Sequence, residues 1–365
     1  MLDRLCEELV DEIFQRLPVK SLLRFRSLSK YWFSRIASPD FIRGHKLQSV
    51  NAPLKLIVKR HLYRTRVVYY TLFSESKFHM DVAEDDLPSR GFEVVGSCNG
   101  ILCVVDKDMV FSLWNPTIRR KLTIPVPPYY IRDRRDWLGL GFGVDPITDD
   151  YKIVMISYSK TDPLVYSMKA GTWSLINSPT MPLKKVISRA CLVNGTLYWV
   201  VERNPTGICI MTFDLSTNNC GSIELPRPCY AIRRMPIVIK DSLAVFYTSW
   251  SNEWIWVRRE RNNSSAWSML VRSSTFLVSN PKVGRVLQLT NGDFLLLERK
   301  WGLTIYNAER GKSRFASKAD IIDMESYAES LVLLDRGVIC KETRQSCDVE
   351  AKANRRRRKL MMYRF

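Results

Sequence analysis

The sequence predicts a mostly β protein that begins with a small helical module. Three observations support this fold class: apolar residues near the N-terminus recur at helical spacing, short apolar runs alternate with turn residues over the rest of the chain, and the turns return at a regular period. The chain has 365 residues, of which 25% are charged and 11% are aromatic. This composition excludes disorder over most of its length.

The N-terminal segment is expected to fold into short helices. Its first apolar residues fit the i, i+1, i+4, i+5 and i+8 spacing of a helix, which Pro18 ends. These residues are Leu9, Val10, Ile13, Phe14 and Leu17. They cover an arc of about 140°, which is wider than one packing seam needs. A module of about forty residues lies near the lower size limit for independent folding, so another protein or the following domain must cover its surplus apolar surface.

Further helical segments follow the proline. Ser21 is expected to cap the second segment. Ser38-Pro39 opens the last one, because proline suits the first helical position. The apolar residues of these segments are Leu22, Leu23, Phe25, Leu28, Trp32, Phe33, Ile36, Phe41 and Ile42.

Residues 5–41 resemble an F-box. The most specific matches are Leu17-Pro18-Val19-Lys20-Ser21-Leu22, Arg24-Phe25-Arg26, Ser29-Lys30 and Trp32. The resemblance implies a trihelical module that binds a Skp-type adaptor and, through it, the cullin of a ubiquitin ligase. The residues assigned to adaptor contact are Leu9, Ile13, Leu17, Pro18, Leu22, Phe25, Arg26, Leu28, Lys30 and Trp32. The alternative is a helical cap that only packs against the following domain.

Residues 51–315 read as β-strands separated by turns. Asn-Gly pairs indicate type I′ hairpin turns, which need positive φ at both central residues. The strong turns are Asn99-Gly100, Asn194-Gly195 and Asn291-Gly292, and weaker ones lie between them at Asp149-Asp150 and Asp241-Ser242. A second series interleaves with the first at Asn115-Pro116-Thr117, Ala170-Gly171-Thr172, Thr217-Asn218-Asn219, Asn262-Asn263-Ser264 and Arg310-Gly311.

Two turns per repeat give two hairpins, and hence four strands, in each unit of about 48 residues, which is typical of a β-propeller blade. Strands at residues 54–58 and 66–73 precede the first unit. Residues 330–334 are expected to return, pair with those strands and close a ring of about six blades. A β-sandwich is the alternative, although sandwiches seldom show so regular a double-turn period.

The body resembles the F-box-associated, kelch-like domain of plant F-box proteins. The matching segments are Ser97-Cys98-Asn99-Gly100-Ile101-Leu102-Cys103, Leu113-Trp114-Asn115-Pro116-Thr117-Ile118-Arg119-Arg120, Gly141-Phe142-Gly143-Val144-Asp145, Asp149-Asp150-Tyr151-Lys152-Ile153-Val154, Asn194-Gly195-Thr196-Leu197-Tyr198-Trp199 and Phe213-Asp214-Leu215. We therefore divide the chain into an F-box at 1–46, a propeller-like substrate-binding domain at 47–340 and a basic tail at 341–365.

No set of residues points to catalysis. Gly139-Leu140-Gly141-Phe142-Gly143 lacks the helix that a phosphate-binding loop needs after its glycines, so crowding of the backbone in a strand explains these glycines better. The nine cysteines never form a CxxC pair, and three histidines offer little metal or acid–base chemistry. Cys98 and Cys103 are expected to be strand residues without activation. We expect a non-catalytic protein with no cofactor and no metal.

An arginine- and aromatic-rich segment between two blades is the first candidate for substrate contact, because Arg pairs with carboxylates and Tyr and Trp bury large areas. Its residues are Tyr129, Tyr130, Arg132, Arg134, Arg135 and Trp137. An ordinary solvated loop is the alternative. A second candidate lies at 254–259, where Trp254 and Trp256 share one strand face and core packing explains them better than ligand contact.

Positive charge is distributed over the body and the tail. The net charge is +19, with +6 carried by residues 341–365. Such a balance favours acidic partners or nucleic acid. The tail run Arg355, Arg356, Arg357, Arg358 and Lys359 fits a nuclear-localisation signal or a solvated tail. We expect a nuclear or cytoplasmic protein without membrane contact, because no apolar run approaches the ~18 residues of a membrane helix.

The two resemblances together imply the substrate-recognition subunit of an SCF-type ubiquitin ligase. It would bind the Skp-type adaptor through the F-box and a protein substrate through propeller loops, and the positive charge favours an acidic substrate. The alternative is a basic propeller that binds nucleic acid or another polyanion, with the helical module used only for assembly. Nucleic acid is not an expected partner under the first interpretation.

Overall fold

The computed structural model describes residues 7–48, 55–62, 67–74, 92–128, 137–157, 162–177, 183–203, 207–226, 231–249, 252–261, 264–273, 283–298, 302–317, 321–333 and 338–339. Within these ranges a helical module is followed by strands alone. None of the helices in these ranges combines the length and apolar character that a membrane crossing requires.

Four short helices form the N-terminal module: α1 Glu7–Gln15, α2 Val19–Arg26, α3 Lys30–Ile36 and α4 Pro39–Gln48. Pro18 is the N-cap residue of α2, with φ −57° and ψ 145°. Because α2 begins at this proline, Ser21 lies inside the helix and its predicted capping role is wrong. Ser29 caps α3 by accepting a hydrogen bond from the Trp32 N–H at 3.2 Å. The predicted start of α4 at Pro39 is confirmed.

The module has a small core of its own. Its buried apolar residues are Val10, Phe14, Val19, Leu22, Ile36 and Phe41. The Phe14 ring contacts the rings of Phe25 and Trp32, with centroids 5.0 and 4.3 Å away. Phe33, which was expected beside Trp32 in the apolar set, is 53% exposed. Consecutive helical residues point about 100° apart, so Trp32 and Phe33 cannot both face the same core.

The rest of the described chain consists of short strands. They are β1 Lys55–Leu62, β2 Val67–Ser74, β3 Glu93–Cys98, β4 Ile101–Val105, β5 Phe111–Asn115, β6 Arg120–Thr123, β7 Trp137–Asp145, β8 Asp150–Ser157, β9 Leu164–Ser167, β10 Thr172–Leu175, β11 Leu183–Val186, β12 Cys191–Val193, β13 Thr196–Arg203, β14 Gly207–Asp214, β15 Cys220–Ile223, β16 Arg233–Ile239, β17 Ser242–Thr248, β18 Glu253–Arg261, β19 Ser264–Ser273, β20 Val283–Gln288, β21 Phe294–Glu298, β22 Gly302–Asn307, β23 Lys312–Ser317, β24 Ile321–Tyr327 and β25 Val338–Ile339.

These strands form six antiparallel sheets around a ring. Blade 1 contains β3–β6 with β25 outside β6, blade 2 contains β7–β10, blade 3 contains β11–β15, blade 4 contains β16–β19, blade 5 contains β20–β23, and blade 6 contains β24, β1 and β2. Each innermost strand lies next to the innermost strand of the following blade, and β24 lies next to β3. The predicted propeller of about six blades is confirmed; five sheets have four or five strands, and the sixth has three described ones.

Blade 6 is built from both ends of the propeller. β24 pairs with β1 from Lys55↔Tyr327 to Arg60↔Ile321. The predicted closing segment at 330–334 is therefore wrong, because the strand that pairs lies earlier in the chain. Residues 328–333 instead run past blade 1, where the carbonyl of Ser330 accepts a hydrogen bond from Asn115 Nδ2 at 3.0 Å.

Two of the three Asn-Gly pairs form the predicted hairpin turns. Asn99-Gly100 has φ of 50° and 77°, and Asn194-Gly195 has φ of 47° and 77°, as a type I′ turn requires. In blade 4 the residues with positive φ are Lys240 and Asp241, one position earlier than predicted. In blade 5 Gly292 has a φ of 87° while Asn291 is not left-handed, so the prediction of a type I′ turn there is wrong.

The glycine-rich run of β7 lies against blade 3. A Cβ on Gly141 would lie 2.6 Å from Cζ2 of Trp199 and 2.7 Å from Cδ1 of Leu197. Trp199 is fully buried, and its Nε1 donates to the Leu140 carbonyl at 3.2 Å. Close packing between blades therefore explains these glycines, as the sequence predicted.

Candidate functional site

The helical module keeps an exposed apolar surface in two parts. On α1, Leu9 and Ile13 lie one turn apart and are 48% and 49% exposed. Near the start of α3, Leu28, Tyr31 and Phe33 are also at least half exposed. Five large apolar side chains that stay exposed although the module is packed against the propeller indicate a contact surface for another protein.

The ten residues predicted to contact the adaptor fall into three groups. Leu9, Ile13, Pro18, Leu28 and Lys30 are exposed, Leu17, Phe25, Arg26 and Trp32 are half-buried, and Leu22 is buried. Leu22 has 0% of its surface exposed. In this conformation Leu22 belongs to the core of the module, so its predicted direct contact with an adaptor is not compatible with the structure.

Three exposed residues of the module were missed by the sequence reasoning: Tyr31, Phe33 and Leu47. Tyr31 and Phe33 flank Trp32 in the sequence. This run of three aromatic residues could have indicated exposed rings, because a helix can direct only some of three consecutive side chains toward the core. Arg26 covers Phe33, with Cζ 3.9 Å from the ring centroid, and its Nε donates to the Phe33 carbonyl at 3.3 Å.

The Leu17-Pro18 corner is held by a buried histidine of α4. His45 is 3% exposed, and its Nε2 donates to the Leu17 carbonyl at 3.0 Å. Burial lowers the pKa of His45, while this hydrogen bond and the charge of Glu329 oppose the shift. The lowered pKa favours the neutral ring, so α4 positions the corner through a hydrogen bond between uncharged groups.

The module packs against the propeller through a continuous apolar core. One hydrophobic cluster contains buried residues of the helices, of blades 1 and 2, and of the segment after β24, including Leu331 and Leu333. At its edge Lys46 Nζ of α4 lies 2.9 Å from Oδ1 of Asp149 in the turn between β7 and β8. The helices therefore pack against the propeller, as the alternative interpretation predicted, and the module keeps its exposed apolar surface as well.

Asn115 connects blade 1 to the segment that follows β24. Its side chain is fully buried, and Nδ2 donates to the carbonyls of Ser330 and Val332 at 3.0 and 2.8 Å. Its Oδ1 accepts from the Thr117 N–H at 3.0 Å. Because this segment is part of the core beneath the helices, Asn115 anchors the segment to blade 1 and supports the F-box at the same time.

The central channel of the propeller contains a cavity of about 440 Å³ lined by all six blades. Arg189 of blade 3 pairs at 2.7 Å with Asp323 of blade 6, which stands across the ring. Arg285 of blade 5 pairs with Glu325 and with Asp323. Burial and the charge of Arg189 lower the pKa of Arg285 to about 10, while Asp323 opposes this shift. Two arginines face two carboxylates, so the network gives the channel no excess positive charge for a polyanion.

The predicted substrate-contact segment lies almost entirely outside the described chain. Tyr129, Tyr130, Arg132, Arg134 and Arg135 lie outside the described residues, as do Arg355, Arg356, Arg357, Arg358 and Lys359 of the tail. Trp137 is the first residue of β7 and pairs with Ser157. The strand runs from Trp137 toward the turn that contains Asp149, which contacts Lys46 of α4. The start of β7 therefore lies at the end of the propeller opposite α4.

Three of the described cysteines, Cys98, Cys103 and Cys191, are poor nucleophiles. Burial raises the pKa of Cys98 and of Cys191 to about 12, and it raises the pKa of Cys103 as well. A thiol that stays protonated at neutral pH is a poor nucleophile, because the thiolate is the reactive form. In the described ranges no three His, Cys, Asp or Glu side chains are close enough to hold a metal ion.

Comparison with known proteins agrees with this architecture. The model of the F-box associated beta propeller domain matches residues 59–343, and the F-box domain model matches residues 2–44. The F-box/kelch-repeat protein At3g23880 of Arabidopsis thaliana is 27% identical over 351 residues, which cover 89% of this chain and 94% of the relative. The F-box protein At4g22390 of Arabidopsis thaliana is 26% identical over 295 residues, 73% of each chain.

Among solved structures, a chain in the crystal structure of a nidogen/laminin complex aligns with a TM-score of 0.48 at 11% identity, over 76% of this chain and 99% of that chain. The family models cover the helical module and the propeller in the order in which the structure shows them. The protein is therefore a plant F-box protein and belongs to the family with an F-box-associated β-propeller domain.

Proposed function

We propose that this protein is the substrate-recognition subunit of an SCF-type ubiquitin ligase. Its F-box binds a Skp-type adaptor, and its propeller binds a protein substrate. The observation that carries the proposal is the exposed apolar surface at Leu9, Ile13, Leu28, Tyr31 and Phe33, on a module that is already packed into the core it shares with blades 1 and 2. The presence of an F-box and an F-box-associated propeller in one chain supports a substrate-recognition role in general.

The receptor acts by proximity and needs no catalytic residue. It holds substrate lysines near a ubiquitin carrier on another subunit, which raises their effective concentration. The shared core between the helices and blades 1 and 2 supports this role, because it fixes the propeller relative to the adaptor-binding surface. The ion pair between Lys46 and Asp149 adds a polar contact at the same junction.

Co-purification with a Skp-type adaptor tests the proposal. Leu9→Ser/Ile13→Ser removes two exposed apolar side chains without touching the buried core. Full burial of such a side chain contributes ~1.5–3 kcal/mol, and about half of each one is still exposed, so the double variant is expected to weaken adaptor binding roughly ten- to hundredfold. Leu17→Ala/Pro18→Ala is expected to have the same direction of effect, because it changes the corner that His45 holds.

Leu47→Ser is the matched control, since Leu47 is 69% exposed on α4 and is not assigned to the adaptor surface. It should leave both adaptor binding and the thermal midpoint unchanged. A wild-type protein that is folded and monodisperse yet fails to retain the adaptor would refute the proposal. Equal losses in the α1 variant and the Leu47 control would show that the surface has been placed wrongly.

A further inference from the structure

The outer half of blade 4 carries a surface of tryptophan, arginine and methionine side chains. Strands β18 and β19 pair so that alternate residues of one face stand opposite each other. The pairs are Trp254↔Arg272, Trp256↔Met269 and Arg258↔Trp267. We call these six residues the tryptophan–arginine ladder. The three tryptophans border the hydrophobic cluster between blades 3 and 4, which places the ladder on the side facing blade 3.

The two faces of this ribbon are buried to different extents. Ile255, Val257 and Val271 are buried against blade 5. The ladder residues are half-buried or exposed, and Met269 is 50% exposed. The core packing expected for Trp254 and Trp256 is therefore present but incomplete.

Strand length explains the incomplete cover. The outermost strand of blade 3, β15, has four residues, whereas β19 has ten. Blade 3 therefore covers only part of the ladder, where Nε1 of Trp267 donates to the carbonyl of Glu224, just after β15, at 3.0 Å. A register shift between Ile255 and Trp256 leaves Leu270 of β19 without a partner on β18. Leu270 and Met269 are consequently both exposed, which adds apolar area beside the ladder.

The described side chains supply no ion-pair partner for the arginines of the ladder. Neither Arg258 nor Arg272 forms an ion pair with a described residue. Burial raises the pKa of Tyr198 in blade 3, and the nearby positive charge of Arg258 opposes this rise. The ladder thus combines partly covered aromatic rings with two arginines that form no ion pair with a described side chain.

We propose that the tryptophan–arginine ladder binds an extended protein segment in which carboxylates alternate with aromatic or aliphatic side chains. Trp, Met and Arg are enriched at interfaces, and Trp and Arg supply most hot spots. The tryptophans and Met269 bury the apolar side chains of the segment, and the arginines bind its carboxylates, bidentately where the geometry allows. This inference rests on the proposed function, in which the bound segment belongs to the substrate.

Fluorescence anisotropy with the full-length protein tests the ladder. Three labelled twelve-residue peptides serve as probes: one with three repeats of Glu-Leu-Asp-Phe, one with Lys in place of each acidic residue, and one with Ser in place of each apolar residue. We expect the protein to bind only the first peptide. Arg258→Glu/Arg272→Glu should weaken that binding at least about tenfold, because like charges then face each other. Met269→Lys should weaken it in the same direction.

Arg314→Glu/Phe315→Lys is the matched control on β23, the outermost strand of blade 5, where Phe315 is 55% exposed. This control should bind the acidic peptide like the wild type. Equal loss in the control and the ladder variants would overturn the proposal, as would equal binding of the acidic and lysine peptides or no binding of the acidic peptide. Binding of a single-stranded oligonucleotide in its place, with steep loss at high salt, would identify a polyanion surface and overturn it too.

Adaptor co-purification on the same variants separates the two proposals. The ladder lies on blade 4, far along the chain from the F-box, so all ladder variants should retain the adaptor. Retained adaptor with no peptide binding would overturn the ladder alone. Failure of the wild type to retain the adaptor would overturn the proposed function, and the peptide measurements would then test the ladder independently of that function.

Discussion

Replacement of Asn115 by alanine is expected to detach the segment after β24 from blade 1. The Asn115 side chain is fully buried, and its Nδ2 supplies the donor for the carbonyls of Ser330 and Val332. Alanine leaves both carbonyls without this donor. A buried polar group that loses its partner costs ~1–3 kcal/mol, so the two together cost about 2–6 kcal/mol. Loss of the turn hydrogen bond to Thr117 adds about 1 kcal/mol.

Asn307→Ala provides a matched comparison. Asn307 ends β22 as Asn115 ends β5, and its Oδ1 accepts from the Arg310 N–H at 2.8 Å. Its Nδ2, however, donates within blade 5, to Oδ1 of Asp293 at 2.7 Å. Asn307 is only half-buried, so water can replace the lost partners and the expected cost is about 1 kcal/mol.

Urea unfolding and hydrogen exchange measure the two effects separately. The midpoint of Asn115→Ala should fall well below that of Asn307→Ala. Amide protection over residues 328–333 and over α4 should fall only in the Asn115 variant, because that segment and α4 share one core. If both variants lose the same stability, or if residues 328–333 keep their protection in Asn115→Ala, then Asn115 does not anchor this segment and our reasoning is wrong.

Two further substitutions test the packing and the electrostatics of the propeller. Gly141→Ala should lower the free energy of unfolding in urea by about 1–3 kcal/mol, because its Cβ would lie 2.6 Å from the Trp199 ring. Gly96→Ala is the control and should be nearly neutral, because its Cβ would have its nearest contact at 3.6 Å. Equal costs for the two variants would contradict crowding between blades. Burial and the charge of Glu298 raise the pKa of Glu253 to about 7, so the stability linked to this carboxyl is fully present below its ordinary pKa and is lost as the pH rises through about 7. Glu253→Gln should therefore exceed the wild type in unfolding free energy by on the order of 3 kcal/mol at pH 8 and by much less at pH 5, and a gain independent of pH would refute this assignment.

Features with a local signal could be predicted from the sequence. Asn-Gly pairs adopt positive φ at low cost, so the hairpins at Asn99-Gly100 and Asn194-Gly195 were recognisable. The turn at Lys240-Asp241 has the same geometry without a glycine, and its position could only be approximated. The crowded glycines of β7 were also recognisable, because no helix follows them.

Features that depend on register or on distant parts of the chain could not be predicted. Leu9 and Ile13 follow from helical spacing, but the burial of Leu22 depends on which face the other helices cover. The ladder requires the register of β18 and β19 and the shift at Leu270, and no turn residue encodes that shift. The ion pair between Arg189 and Asp323 joins opposite blades, so neither residue carries a local sign of the other.

The composition of blade 6 has a consequence for how this protein is made. Lys55 of β1 pairs with Tyr327 of β24, about 270 residues later, so the ring cannot close until nearly the whole chain is synthesised. At about 5–20 residues per second, β1 and β2 wait roughly 15–55 s for their inner partner on the ribosome. The F-box emerges first, and its core also requires Leu331 and Leu333 from the far end. A prematurely terminated product would therefore carry an incompletely supported F-box on an open ring with unpaired strand edges, which favours aggregation and degradation over assembly into a ligase.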